Sequence, residues 1–262
     1  MSMETSTKAR VEPDAETSTK TRARRRLRTA LIALATVVVV AVVACALYFG
    51  DYYHAVDVDE ALAGTDEVTV SETDGVWYFD GPGTEAVLVF YPGAKVEVTA
   101  YAPLMAELAA AGVDCLLVEM PLNFAIFGMG AAASLAESGD YDYQTWLIGG
   151  HSLGGAMAAS CAASNPGTFD GVVLLAAYST SSLADATDWV VSLYGTEDGV
   201  LNLENVEAGR DLVPDDYVEV VIEGGNHAQF GSYGAQDGDG EATISAEEQR
   251  ARVVEAVVDM VG

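Results

Sequence analysis

Trp146-Leu147-Ile148-Gly149-Gly150-His151-Ser152-Leu153-Gly154-Gly155 is the stretch from which the fold can be read. It opens as an apolar strand and passes through Gly-x-Ser-x-Gly. It then runs into Leu153–Ser164, a small-residue segment closed by Asn165-Pro166-Gly167 and expected as a helix. A serine on a sharp strand-to-helix turn needs glycines two residues to either side, because side chains there would clash with the folded-back backbone. A helix that starts at this serine also points its first amides at any oxyanion formed beside it. Ser152 is therefore the candidate nucleophile.

Outward from this turn, strands and helices alternate. Residues 86–91 (AVLVFY) form a continuous apolar run that stops at Pro92-Gly93, the pattern of a strand buried on both faces. Residues 99–111 have helical spacing, with Tyr101, Leu104, Met105 and Leu108 on one side and Gly112 closing the segment. Further buried strands are expected at 113–119, 172–176, 189–194 and 217–222, and helices at 126–137, 201–210 and 245–261. Two short strands, 68–71 and 76–79, flank Thr73-Asp74-Gly75 and predict a hairpin. Repeated strand–helix units with fully apolar strands mean a mostly parallel sheet covered by helices on both faces.

An activated serine needs a base, and the chain has three histidines. His54 lies upstream of the first strand and His151 adjoins the serine on a turn whose successive residues point apart. That leaves His227, in the loop Gly224-Gly225-Asn226-His227-Ala228-Gln229-Phe230-Gly231 after the last strand, at the strand end where such sites assemble. The carboxylate that orients the imidazole is expected between serine and histidine. Gly195-Thr196-Glu197-Asp198-Gly199 supplies it, with Asp198 preferred and Glu197 as the alternative.

The segments GHSLGG (150–155), GTED (195–198) and GGNHAQFG (224–231) resemble the α/β-hydrolase superfamily in the order nucleophile, acid, base, and the resemblance runs over residues 68–261. More narrowly, the chain resembles small bacterial hydrolases of the dienelactone-hydrolase-like branch, with Ser152 where dienelactone hydrolases use cysteine. The resemblance implies an α/β-hydrolase fold and a Ser152–His227–Asp198 triad working without cofactor or metal. It also implies an oxyanion hole made by the backbone amides of Leu153 and Ala94, the latter in the turn Tyr91-Pro92-Gly93-Ala94. Only residues 178–188 separate two strands where many lipases insert a lid domain, so no large cap is expected. Access would be limited by 121–130, with Phe124, Ile126, Phe127 and Met129, and by 231–240. The function so implied is cleavage of an ester or related acyl bond in a small or lipid-like substrate. Acyl transfer, or a non-catalytic binding module on the same fold, are the alternatives.

Charge divides the chain. The whole has 262 residues and a net charge of −28, yet residues 1–50 carry eight basic and four acidic side chains. Beyond them, Lys95, Arg210, Arg250 and Arg252 face 36 carboxylates. A field of this sign repels nucleic-acid phosphates and excludes that class of partner. Between the two parts lies ALIALATVVVVAVVACALYF (residues 30–49), with Thr36 its one polar residue, and the cluster Arg22, Arg24, Arg25, Arg26 and Arg28 just before it. Twenty such residues match a bilayer's hydrocarbon thickness, and the basic flank places the N-terminus in the cytoplasm and the rest outside the cell membrane. The organisation expected is a basic tail (1–28), a transmembrane anchor (29–50), an acidic stalk (51–66) and the hydrolase domain (67–262). A cleaved signal sequence, or a lipid-bearing Cys45, is the alternative to the anchor. Three scattered cysteines make neither a disulfide framework nor a zinc module, and Cys115 and Cys161 read as core fillers. Asp237-Gly238-Asp239-Gly240-Glu241 has the look of a calcium loop but lacks its glycine at position six, where Ala242 stands.

Overall fold

The structure, a computed structural model, describes residues 15–262, so half of the basic tail expected over 1–28 lies outside the described residues. It separates into two units that part between Gly50 and Asp51. The first is one helix, α1 (Ala15–Gly50). Its stretch Arg28–Gly50 is apolar around the whole circumference and buries nothing, with Val37 and Leu47 exposed at 64% and 71%. The 23 residues span about 34 Å, enough to cross a membrane.

The second unit begins with the single turn α2 (Asp59–Ala63) and the hairpin β1 (Thr69–Thr73) and β2 (Val76–Asp80). Its turn residues Asp74 and Gly75 stand at φ 51° and 79°, the left-handed pair that a two-residue hairpin turn requires. There follow β3 (Ala86–Tyr91), α3 (Ala102–Ala110), β4 (Val113–Val118), α4 (Ala131–Ser138), β5 (Thr145–His151) and α5 (Leu153–Ser164). The chain closes with β6 (Gly171–Leu175), β7 (Trp189–Gly195), α6 (Leu203–Gly209), β8 (Tyr217–Ile222) and α7 (Ala246–Val261). The strands form one sheet in the order β1-β2-β4-β3-β5-β6-β7-β8, antiparallel at β1–β2–β4 and parallel from β4 onward.

Alternation along β3 explains the two layers. Leu88 and Phe90 face a core with Leu104, Met105 and Leu108 of α3 and Val253 and Val257 of α7. Val87 and Val89 face the other, with Ala158, Ala159 and Ala162 of α5. Burying each large aliphatic side chain contributes roughly 1.5–3 kcal/mol. At the start of α7, Ser245 and Glu248 form a reciprocal capping box, adding about 1 kcal/mol.

Three expectations change. Residues 51–66 are not a free stalk. Tyr53 N–H donates to Lys95 O (2.7 Å), Glu97 N–H to Tyr53 O (2.9 Å) and Val56 N–H to Ser232 O (2.8 Å), while Val58 is buried. Their acidic residues hide an apolar set, Tyr53, Ala55, Val58, Ala61 and Leu62, that packs on the core. Second, β8 is an edge strand with Val218 and Val221 exposed, because among the described residues no further strand pairs beyond it. Third, the helix expected over 126–137 starts at Ala131, since Gly128 and Gly130 end the preceding single turn Ala125–Phe127.

Candidate active site

Parallel strands bring their C-terminal ends to one edge of the sheet, and the residues singled out from the sequence gather there. Ser152 follows β5 at φ 53°, ψ −123°, left-handed backbone that a non-glycine residue holds only under constraint. The constraint is close packing. A Cβ on Gly150 would stand 2.6 Å from Tyr91 O, and one on Gly154 would overlap the carbonyl oxygens of Tyr91 and Pro92. Both glycines let the first turn of α5 sit directly on the end of β3.

Leu153 opens α5, so its amide has no acceptor within the helix. In the turn after β3, Gly93 N–H is taken by Tyr101 Oη (3.0 Å), Lys95 N–H by Asn123 O (2.8 Å) and Val96 N–H by Gly93 O (3.3 Å). Among the described residues no acceptor takes Ala94 N–H. A cavity of about 230 Å³ opens over the serine, lined by Ser152, Leu153, Ala156, Ala176, Ala177, Tyr178, Val200, Leu201, Asn202 and His227. Ala94 is not among its lining residues. Ala176, after β6, is a second strained residue here, at φ 46°. Residues 176–188 form irregular turns with no inserted helix.

His227 and Asp198 meet as expected. Nδ1–H of His227 donates to Asp198 Oδ2 at 2.9 Å, and the two side chains are 2% and 1% exposed. Asp198 Oδ1 accepts from Val200 and Leu201 N–H (2.9 and 2.8 Å), which fixes the carboxylate. The imidazole is thus held in the tautomer with the proton on Nδ1, and Nε2 is buried without a hydrogen bond. It shares the cavity with Ser152 but does not bond it in the unliganded geometry, as is common before substrate closes a site. Glu197, the alternative acid, is exposed and engages Thr196.

Several residues escaped the sequence reading. His151 does not point away from the site's support. Its ring lies 4.5 Å from that of His227, and its Nδ1 is 2.8 Å from Tyr101 Oη. Burial, and next the neighbouring His227, hold the His151 imidazole well below its ordinary pKa, so a neutral ring packs against that of His227. Tyr101, which the spacing of 99–111 puts on the apolar side of a helix, is buried at the end of the single turn Val98–Tyr101, just before α3, and its hydroxyl was not foreseen. Asp239, from the stretch resembling a calcium loop, spends its oxygens on backbone. It accepts from Gly199 N–H (3.1 Å), His227 N–H (3.2 Å), Ala228 N–H (2.8 Å) and Gly240 N–H (2.9 Å). It therefore ties the acid loop to the base loop. Gln249 of α7 is buried and bonds Asn226 twice, accepting from its N–H (3.0 Å) and donating to its carbonyl (2.8 Å). His54 sits away from all of these, 3.1 Å from Glu97.

Similar folds are known. Dienelactone hydrolase from Anabaena variabilis superposes with a TM-score of 0.56 at 16% identity, over 74% of this chain and 96% of that one. Carboxyl esterase 2 from Tuber melanosporum gives 0.55 at 11% identity, over 80% and 91%. The monoacylglycerol lipase of Paleococcus ferrophilus gives 0.55 at 16%, over 74% and 99%. No functionally curated sequence matches the chain. The family model described as "Alpha/beta hydrolase family" matches residues 87–251, more than half of the sequence and every element that carries the site, and the chain belongs to that family.

Proposed function

We propose that this protein is a membrane-anchored serine hydrolase that cleaves a carboxylic ester or related acyl bond through an acyl-enzyme. The observation that carries the reading is the buried His227–Asp198 pair opening on the same cavity as Ser152, itself held in left-handed backbone. Ser152 Oγ attacks the substrate carbonyl while His227 Nε2 takes its proton. Asp198 keeps Nδ1–H in place and offsets the charge that forms on the ring. The amides of Leu153 and Ala94 receive the oxyanion. His227 then protonates the departing alkoxide, and water, activated by the same nitrogen, releases the acid. No cofactor or metal enters these steps.

Leu153, Ala156, Ala176, Ala177, Val200 and Leu201 make most of the cavity wall apolar, which suits an acyl group, and the esterase and lipase among the similar folds fit the same class. The helix Arg28–Gly50 serves as the anchor, with the arginine-rich segment before it in the cytoplasm and the catalytic unit outside. Full-length protein in detergent, treated with a fluorophosphonate and mapped by peptide mass, tests this. Label is expected on Ser152, absent in Ser152→Ala and slowed by orders of magnitude in His227→Ala. A folded protein that takes no label would overturn the reading in favour of a binding module.

A further inference from the structure

Soluble surfaces scatter their large apolar side chains; this unit concentrates them. Those exposed outside α1 are Val56, Leu122, Ile126, Phe127, Val200, Leu203, Val218 and Val221. Five of the eight lie at the same edge of the sheet as Ser152: Leu122, Ile126 and Phe127 in the segment after β4, Val200 in the loop after β7 and Leu203 at the start of α6. The turn Ala125–Phe127 packs against α5, the helix that the serine opens, and Val200 lines the cavity itself. The two segments are apolar lips on that edge of the sheet, and one of them reaches the cavity through Val200. A concentration of apolar side chains on one edge marks a contact surface rather than random exposure.

Two further observations identify what the lips meet. Leu122 and Asn123 both stand at φ 57°, a strained backbone that presents the Leu122 side chain 54% exposed instead of burying it. The chain also enters this unit at the same rim. Tyr53 N–H donates to Lys95 O, and Lys95 N–H to Asn123 O of the β4 loop. A membrane span ending at Gly50 leaves only Asp51 and Tyr52 before that bond, a reach of about 11 Å of extended chain. Only two residues therefore part the end of α1 from Tyr53, which is bonded beside the β4 loop.

We propose that the rim formed by Leu122, Ile126, Phe127, Val200 and Leu203 seats on the surface of the bilayer and that Ser152 takes a neutral lipid ester directly from it. The proposal rests on the hydrolase reading for its second half. The acidic surface of this unit specifies an uncharged or zwitterionic lipid, because anionic headgroups are repelled. Apolar side chains at the boundary of headgroup and acyl chain supply the attraction.

The test uses full-length protein carrying Cys45→Ser in phosphatidylcholine vesicles, with one cysteine introduced by Ile126→Cys or by Asp140→Cys, the latter exposed at the opposite edge of the sheet. Cys115 and Cys161 are buried and take no label. An environment-sensitive nitrobenzoxadiazole dye at position 126 should shift to the blue and be quenched by spin-labelled lipid, while the dye at 140 should do neither. Equal aqueous iodide quenching at both positions would sink the proposal. So would a blue shift at 126 that lipid quencher leaves untouched and dilution of protein in lipid abolishes, since that is the mark of a second copy. As a second readout, Leu122→Ser with Ile126→Ser should lower hydrolysis of a vesicle-borne diacylglycerol at least tenfold and change that of p-nitrophenyl acetate less than twofold. Equal loss on both substrates also overturns it. Fluorophosphonate labelling of Ser152 is scored alongside, so that failure of the hydrolase reading is seen separately from failure of lipid seating, which the dye reports without turnover.

Discussion

Opposite edges of the same sheet each bury a carboxylate, and the two are built to different ends. At the edge where β4 begins, Asp114 accepts from Tyr143 Oη (2.5 Å) and from Gly81 N–H (2.8 Å), while Tyr143 also meets Tyr78 Oη (2.5 Å). Burial raises the Asp114 pKa against those bonds and raises Tyr78 to about 12, and burial together with Asp114 pushes Tyr143 far up. The protons there have nowhere to go, and the network closes on itself. At the other edge Asp198 is as well bonded as Asp114, yet the chain it starts, Asp198–His227, ends on a buried nitrogen with no partner. A buried polar atom left open costs roughly 1–3 kcal/mol. A network of similar parts thus ends in an open ring nitrogen, beside His151 Nε2, which is open as well.

That contrast can be broken by substitution, and the expected effects descend in size. Asp198→Asn keeps the shape but inverts the tautomer of His227, and ester turnover should fall by about 10⁴-fold; a change under tenfold would remove Asp198 from the reaction. Asp239→Asn loosens the link between acid and base loops. A misplacement of that kind costs up to about 10²-fold, and it should appear in kcat with KM nearly constant. Asp114→Ala leaves Gly81 N–H and Tyr143 O–H without their acceptor. It should lower stability by about 1–3 kcal/mol in urea unfolding while turnover stays within twofold; lost turnover at unchanged stability would erase the distinction between the two edges.

The smallest effect belongs to the surface cluster on β8. Arg210 above all, then Tyr194 and Tyr217, hold Glu219 at about 2, below its ordinary 4.5. A carboxylate lowered by folding stabilises above its ordinary value and loses that contribution as pH falls toward the folded one. Glu219→Gln should therefore cost stability near pH 6 and almost none near pH 2. Exposure of Arg210 keeps the difference modest.

Legibility in the sequence followed burial. Strand β3 and helix α5 lie where the sequence puts them, because an uninterrupted apolar run and a small-residue helix bounded by Ser152 and Asn165 each admit one reading. Strand β8 has an equally apolar run, yet composition does not tell a central strand from an edge; Glu219 in its middle was the available signal. In the candidate site, Ser152, His227 and Asp198 were singled out by chain order and motif; the structure brings His227 and Asp198 into contact, and Ser152 and His227 line one cavity. His151, Tyr101, Asp239 and Gln249 were not found. Each acts through a partner remote in sequence, 50 residues away for the Tyr101–His151 pair, and no local pattern records such a pairing. Residues 51–66 were misjudged because their charges outnumber a small apolar set that only the folded core makes visible.

The hold of Gln249 on the backbone of Asn226 has a consequence in time. Synthesis delivers the turn at Ser152 first, the loop of Asp198 some 45 residues later and the loop of His227 after that, but the side chain that fixes this last loop arrives only with the final helix. A nascent chain, or one clipped ahead of α7, carries Ser152, Asp198 and His227 and lacks the brace on the loop that holds the last of them. On the proposed hydrolase reading, activity therefore waits for α7.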